Sequence, residues 1–263
     1  MFNILFWNIN GNHIENLISN CIAENDVDIA IFTEYGGTDF SKIENDLGKK
    51  YTYEKSYIPK TKIAMMRKNT VTVGVHQQQR RYSLYSAETA LEKYFIIGIH
   101  LEDPFYGHDS TRENTIRNIV ADVEKTEKTF EYEKTIIIGD FNVNPYDKEI
   151  IDFYCFNAVL FKRLIEENEY THPRSDKKKR FYNPILSYIS EENEMYGSFY
   201  YDSSPTTTYW HCLDQIIVRK SLVDNIENIK YLKKIDGKEL LSGKKPDSCI
   251  SDHLPLLVNF REV

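Results

Sequence analysis

The stretch IIIGDFNVNP at 136–145 constrains this chain more than any other part of it. Ile136, Ile137 and Ile138 are β-branched residues in succession, and such a run suits a buried strand in a sheet covered on both faces. The strand then runs straight into Gly139, Asp140 and Asn142 and stops at Pro145. Asp and Asn are poor strand residues, and an ionised carboxylate at the end of an apolar strand costs free energy unless something compensates it. A polar turn accounts for the stretch taken alone. A site at the carboxyl end of a strand, where α/β sheets tend to bind their ligands, accounts for it equally well.

The remaining strands decide between these readings. Phe2–Asn8 reads as a strand, His13–Asn25 as a helix with Leu17, Ile18, Cys21 and Ile22 at helical spacing, and Asp28–Glu34 as a second buried strand. Five strand-like runs without helices lie between Tyr51 and Leu101, which implies antiparallel meander pairing. Ser110-Thr-Arg-Glu113 has the form of a capping box opening a helix, with Ile116, Ile119, Val120 and Val123 on its buried face. Leu213–Val218 and Leu254–Phe260 supply closing strands. The 263 residues make one domain, 1–263, with an elaborated loop region at about 154–210 that is rich in Tyr, Asn and Ser.

Composition narrows the classes of function. No apolar run approaches a membrane span, and no basic segment precedes the first strand at Phe2, so no signal peptide is expected. Cys21, Cys155, Cys212 and Cys249 are scattered, without metal-ligand spacing, which suggests reduced thiols in a cytoplasmic protein. The formal charge of −7 weighs against a protein that merely coats DNA. It weighs less against an enzyme whose carboxylates hold divalent cations.

Polar residues recur at strand ends. Asn8 ends the first strand, Glu34 the second, His100 a later one and Asp140 the next; Asp214 heads a strand, and Asp252-His253 precede the last. Each alone is an ordinary turn or capping residue. In order, WNING, TE, GIHL, GDFNVNP, LDQI and SDHLP resemble the endonuclease/exonuclease/phosphatase superfamily, which includes deoxyribonuclease I, exonuclease III-type abasic endonucleases, neutral sphingomyelinases and inositol polyphosphate 5-phosphatases. The resemblance spans Phe2 to Phe260 and implies an α/β fold: a four-layer α/β/β/α sandwich of two packed mixed sheets, with the site at one end.

It also implies chemistry. Phosphodiester hydrolysis needs a nucleophilic water and neutralisation of charge on the phosphoryl oxygens, and Mg²⁺ (or Mn²⁺) supplies the second through hard oxygen ligands. By the resemblance, Glu34 is the first metal ligand, supported by Asn8 and Asp252. Asp140 and Asn142, two residues apart on an irregular turn, can both address one water. Asp214 is a natural partner for His253, fixing its tautomer and favouring its charged form. His100 is a second phosphate donor, and Arg112, in the first turn of its helix, can reach the same anion. Two positions depart from the exonuclease III-type pattern: Asn10 stands where those members carry Asp, and HLEDPFYG where they carry Tyr-x-Pro-Asn.

Region 154–210 interleaves aromatics with the basic run Lys177, Lys178, Lys179 and Arg180, a combination suited to phosphate contact and base stacking. The expected activity is a metal-dependent nuclease on DNA. A phosphatase or phosphodiesterase on a small or lipid-linked phosphate is the alternative, and a non-catalytic binding module is disfavoured because every main motif is intact.

Overall fold

Two sheets stacked face to face explain the unbroken apolar run at 136–138. The computed structural model describes residues 1–103, 109–171, 176–203 and 208–262. In chain order the main elements are β1 (Phe2–Asn8), α1 (Glu15–Glu24), β2 (Ile29–Thr33), α2 (Phe40–Asp46), β3 (Tyr51–Glu54), β4 (Ala64–Lys68), β5 (Thr72–Gln78), β6 (Tyr82–Glu88), β7 (Lys93–His100), α3 (Asp109–Phe130) and β8 (Thr135–Asp140). Strands Asp214–Val218, Ile226–Tyr231 and Leu256–Phe260 follow.

The first sheet has the order Ile226–Tyr231, Leu256–Phe260, β1, β2, β4, β3. The second runs β5, β6, β7, β8, Asp214–Val218, Phe181–Tyr182, Ala158–Val159. Both are mixed: β1 and β2 are parallel in one, β7 and β8 in the other. Alternation along β8 sends Ile136 and Ile138 into the core between the sheets and Ile137 into a second core beneath α3. That second core holds Ile116, Ile119, Val120 and Val123, the expected buried face of the helix. On the far side, Phe32 of β2 meets Phe40 of α2 at a ring distance of 6.1 Å. Helices therefore cover the outside of both sheets, giving the four-layer sandwich that the sequence implies.

Some details differ from the sequence reading. α2 is short and was not foreseen, although Asp39 caps it by accepting from Lys42 N at 3.1 Å. α3 already includes Asp109, so Ser110 lies within its first turn and is not its cap. Region 154–210 is more than loop. It adds the strand pairs Ala158–Val159 and Phe181–Tyr182 to the edge of the second sheet, together with short helices at Lys162–Glu167 and Ile185–Tyr188. Residues 172–175 of this region lie outside the described residues, as does the whole of the segment 104–108. Among the described residues no helix is long and apolar enough to cross a membrane.

Two glycines set how closely the layers approach. A Cβ at Gly98 would stand 2.8 Å from Ile63 Cγ2 and 3.0 Å from Ile31 Cγ2 on the facing sheet. At Gly139 it would stand 2.1 Å from the Ile99 carbonyl oxygen of the neighbouring strand. That obstacle is backbone, so the strands themselves would have to part. Gly139→Ala should therefore lower the free energy of unfolding by roughly 2 kcal/mol or more. Urea denaturation measures this, and an unchanged midpoint would show that the strands yield easily there.

Candidate active site

Strand register builds the site. β7 and β8 pair in parallel with His100 opposite Asp140, and Asp214–Val218 pairs antiparallel to β8 with Asp214 opposite Asp140. Three polar side chains thus stand in one row across three adjacent strands. Behind them on the same face are Ile96, Ile138 and Ile216 of the inter-sheet core. From the facing sheet come Asn8, the last residue of β1, and Glu34, the residue after β2. Asn8 Nδ2 donates to Asp140 Oδ2 at 3.0 Å and to Glu34 Oε1 at 3.3 Å, so one amide joins the two sheets at the site. Its Oδ1 accepts from Asn10 N at 3.1 Å, so Asn10 serves the turn through its backbone.

Backbone strain collects here. Glu34 and Asn142 both adopt left-handed conformations, with φ of 51° and 52°, which costs more for Glu than for Asn. Asn142 is held by its N–H to Asp140 Oδ1 at 2.9 Å and by its side-chain amide to the Leu101 carbonyl at 3.0 Å.

His253 reaches the row from the loop before Leu256–Phe260. Its Nδ1 donates to Asp214 Oδ2 at 2.7 Å. Ser251, which the sequence reading assigned no role, fixes this loop: its hydroxyl donates to the Asn8 carbonyl at 2.6 Å and accepts from His253 N at 3.1 Å. Trp7 Nε1 donates to the His253 carbonyl at 3.0 Å. Asp214 is held in turn through its backbone, by the Tyr231 hydroxyl at 2.7 Å and the Ser198 hydroxyl at 3.1 Å. Burial works against a charged imidazole at His253, but the carboxylates of Asp214, Asp140 and Asp252 outweigh it and lift its pKa to about 10. Burial raises the Asp140 carboxyl to about 7, with Asp214 adding to the effect and His253 and the Asn8 amide opposing it. His100 goes the other way. Burial, together with Arg81, Lys62 and His253, depresses it to about 3, so it is neutral.

This donor set suits a hard divalent cation. Glu34 Oε1 and Asp140 Oδ2 lie 3.6 and 3.8 Å from the neutral His100 Nε2 and share the Asn8 amide. Two carboxylates thus converge on groups that carry no positive charge. Their oxygens, with Asn8 and the half-buried Asp252, match the preferences of Mg²⁺ or Mn²⁺. Asp140, Asp214 and His253 also cluster tightly, with His253 Nδ1 bonded to Asp214 Oδ2.

The row opens into a cavity of about 890 Å³ lined by Glu34, His100, Asp140, Asn142, Asp252 and His253. Arg112 lines it as well, buried and paired with Glu149 through Nε at 2.9 Å and more closely through Nη2. Phe199, Tyr201 and His211 of the 154–210 region and its border form another wall. The basic run is elsewhere. Tyr182 pairs with Val218, at the end of its strand remote from Asp214, and the run lies beyond it. Lys178 donates to the Phe153 and Cys155 carbonyls at 3.0 and 2.7 Å, and Lys179 pairs with Glu133 and, at 3.1 Å, with Glu169. Arg180 donates to Thr171 Oγ1 at 2.7 Å, and Lys177 sits 3.7 Å from the Tyr170 ring centre. The fold does not bring these four residues to the cavity.

Layers, register and strand-end site together define a deoxyribonuclease I-like α/β sandwich. The sequence matches the model of the Endonuclease/Exonuclease/phosphatase family over residues 5–253, and the chain belongs to that family. Similar solved structures include TDP2 from D. rerio complexed with single strand DNA product (14% identity, 99% of this chain and 98% of that one, TM-score 0.62). An AP endonuclease from Archaeoglobus fulgidus is 18% identical over 99% of each chain, with a TM-score of 0.58. The 3' phosphatase NExo from Neisseria, bound to product DNA hairpin, is 15% identical over 99% of this chain and 100% of that one, with a TM-score of 0.57. No curated protein matches the sequence significantly.

Arg112 and Glu149 form a buried pair that neither residue can leave cheaply. Arg112→Ala should destabilise the fold by about 3–5 kcal/mol by stranding the Glu149 carboxylate. Chemical denaturation tests this, and a loss within about 0.5 kcal/mol would mean that water reaches Glu149 freely.

Proposed function

We propose that this protein is a divalent-metal-dependent phosphodiester hydrolase acting on DNA. The observation that carries the reading is the row His100–Asp140–Asp214, joined through Asn8 to Glu34 on the other sheet and through Asp214 to His253. Glu34 would hold the cation, with Asn8 and Asp252 supporting it. When bound, the cation supplies neutralisation of charge on the phosphoryl oxygens. Asp140 orients and deprotonates the attacking water, and Asn142 fixes that water or the phosphate. His253, charged and oriented by Asp214, meets a phosphoryl oxygen or assists proton transfer to the leaving oxygen. The neutral His100 donates a further hydrogen bond to the phosphate, and Arg112, whose charge Glu149 neutralises, lines the same cavity.

DNA as substrate is supported by the DNA complexes of TDP2 and NExo and by the AP endonuclease of the same fold. A second reading, a small or lipid-linked phosphate, is favoured by the position of Lys177–Arg180 away from the cavity and by the overall charge of −7. The buried, unbridged Cys21, Cys155 and Cys212 suit a reducing cytoplasm.

Hydrolysis of plasmid, single-stranded DNA, RNA and bis-p-nitrophenyl phosphate, each with added Mg²⁺ or Mn²⁺, separates the two readings. Turnover of DNA supports the first, and turnover of the small diester alone supports the second. Glu34→Gln should abolish metal-dependent hydrolysis while leaving the unfolding midpoint nearly unchanged, because Glu34 is part-exposed at a strand end. Wild-type turnover by that variant at limiting Mg²⁺ would remove Glu34 from the metal site. His253→Ala and Asp214→Asn should behave as one unit, the double variant losing little more activity than the worse single one. Multiplicative losses in kcat/KM would mean that the two side chains act separately.

A further inference from the structure

A second row of side chains runs along the cavity wall, away from the first. Phe199 pairs antiparallel with His211 on one edge and forms a bridge with His253 on the other. Residues opposed across antiparallel strands share a face, and all three line the cavity. The Phe199 ring leans on that of His253, with centroids 5.0 Å apart. Neighbouring strands lie about 4.8 Å apart, so His211 stands roughly 10 Å from His253, with Phe199 between them. At that separation His211 is beyond the phosphoryl oxygens that His253 would meet. It faces whatever is esterified to them.

The hydrogen bonds around His211 fix which ring nitrogen carries its proton. The Cys212 N–H, which can only donate, meets Asn144 Oδ1 at 3.0 Å. That sets the orientation of the Asn144 amide, so its Nδ2 is the atom 3.1 Å from His211 Nδ1. An amide nitrogen has only protons to offer, so Nδ1 accepts and the proton of the neutral ring is on Nε2. Asn144 is held in turn by Asp147, donating from its N to Asp147 Oδ2 at 2.6 Å and accepting from Asp147 N at 3.0 Å. Burial keeps His211 below its usual pKa against the pull of Asp147, so the ring is uncharged at neutral pH. Among the described residues its Nε2–H has no partner. The charge that bears on the ring is the Asp147 carboxylate, which disfavours a second phosphate there. With the Phe199 ring beside it, such a donor suits a nucleoside: a flat base for the ring, and carbonyl or ring-nitrogen acceptors for Nε2–H. An alkyl chain offers neither.

We infer that His211 donates through Nε2–H to an uncharged acceptor on a nucleoside esterified to the reacting phosphate, and so selects nucleotide esters over plain alkyl or aryl ones. The inference rests on the hydrolase reading above and narrows its substrate. The test compares two diesters with one leaving group, thymidine 5′-(p-nitrophenyl phosphate) and phenyl p-nitrophenyl phosphate, each with Mg²⁺, as the ratio of their kcat/KM values. His211→Phe, which keeps a ring and loses the donor, should lower this ratio roughly fivefold. His211→Gln, whose Nε2 can still donate, should recover most of the loss. Asn144→Asp should invert the tautomer, because its carboxylate accepts from Nδ1–H and leaves Nε2 without a proton once the ring is neutral. In that variant the ratio should fall as pH rises through the His211 pKa, whereas the wild-type ratio stays flat. Asn144→Asp therefore decides the matter should His211→Phe fail to fold. Long-range ¹H–¹⁵N spectra of the imidazole check the premise without catalysis, and the wild type should show a protonated Nε2 and a bare Nδ1. A proton on Nδ1 of the neutral wild-type ring overturns the inference, as does an unchanged ratio in a folded His211→Phe or a flat ratio in Asn144→Asp. If the wild-type protein shows the expected tautomer and cleaves neither ester, the hydrolase reading itself falls, and selection by His211 with it.

Discussion

Asp140 is the residue on which the rest of this site depends. It ends an apolar strand, is 1% exposed and lies in register between His100 on one side and Asp214 on the other. A carboxylate so buried is costly unless donors reach it. The Asn8 amide from the opposite sheet and the Asn142 N–H from its own turn supply two. The charged His253, drawn in by Asp214, supplies a compensating field. Each of these groups is placed by a different element, so the fold and the site are determined together.

This dependence explains features that look incidental when taken singly. The sheets must come close enough for Asn8 to reach Asp140, and Gly98 allows it by leaving room for Ile31 and Ile63. The β8 backbone must pass close to Ile99, and Gly139 allows that. The His253 loop must return to β1, and Ser251 ties it to the Asn8 carbonyl. Glycine and serine are used here for what they leave out or link.

The sequence disclosed the ends of strands better than it disclosed what lies between them. Asn8, Glu34, His100, Asp140, Asp214 and His253 were legible because a polar residue abutting an apolar run breaks a strong local pattern. Their convergence was legible only through the order of motifs, since register is a property of paired strands. The Arg112–Glu149 pair joins residues far apart in the chain and left no local signal. The basic run Lys177–Arg180 suggested phosphate contact by composition alone. Its actual partners, Glu133 and Glu169 among them, come from other parts of the fold, and composition carries no direction. The aromatic wall was visible as a list of tyrosines, but only pairing with Trp210–His211 brings Phe199 and Tyr201 to the cavity.

The central claim is that the two sheet ends meet to hold one hard cation at Glu34, beside the Asp140 row. Anomalous diffraction from crystals equilibrated with Mn²⁺ tests it most directly. The account predicts an anomalous peak against the Glu34 carboxylate, within the cavity that His100, Asp140 and Asp252 line, and loss of that peak in crystals of the Glu34→Gln variant. Manganese bound elsewhere on the protein, with none at Glu34 in an active preparation, would contradict it.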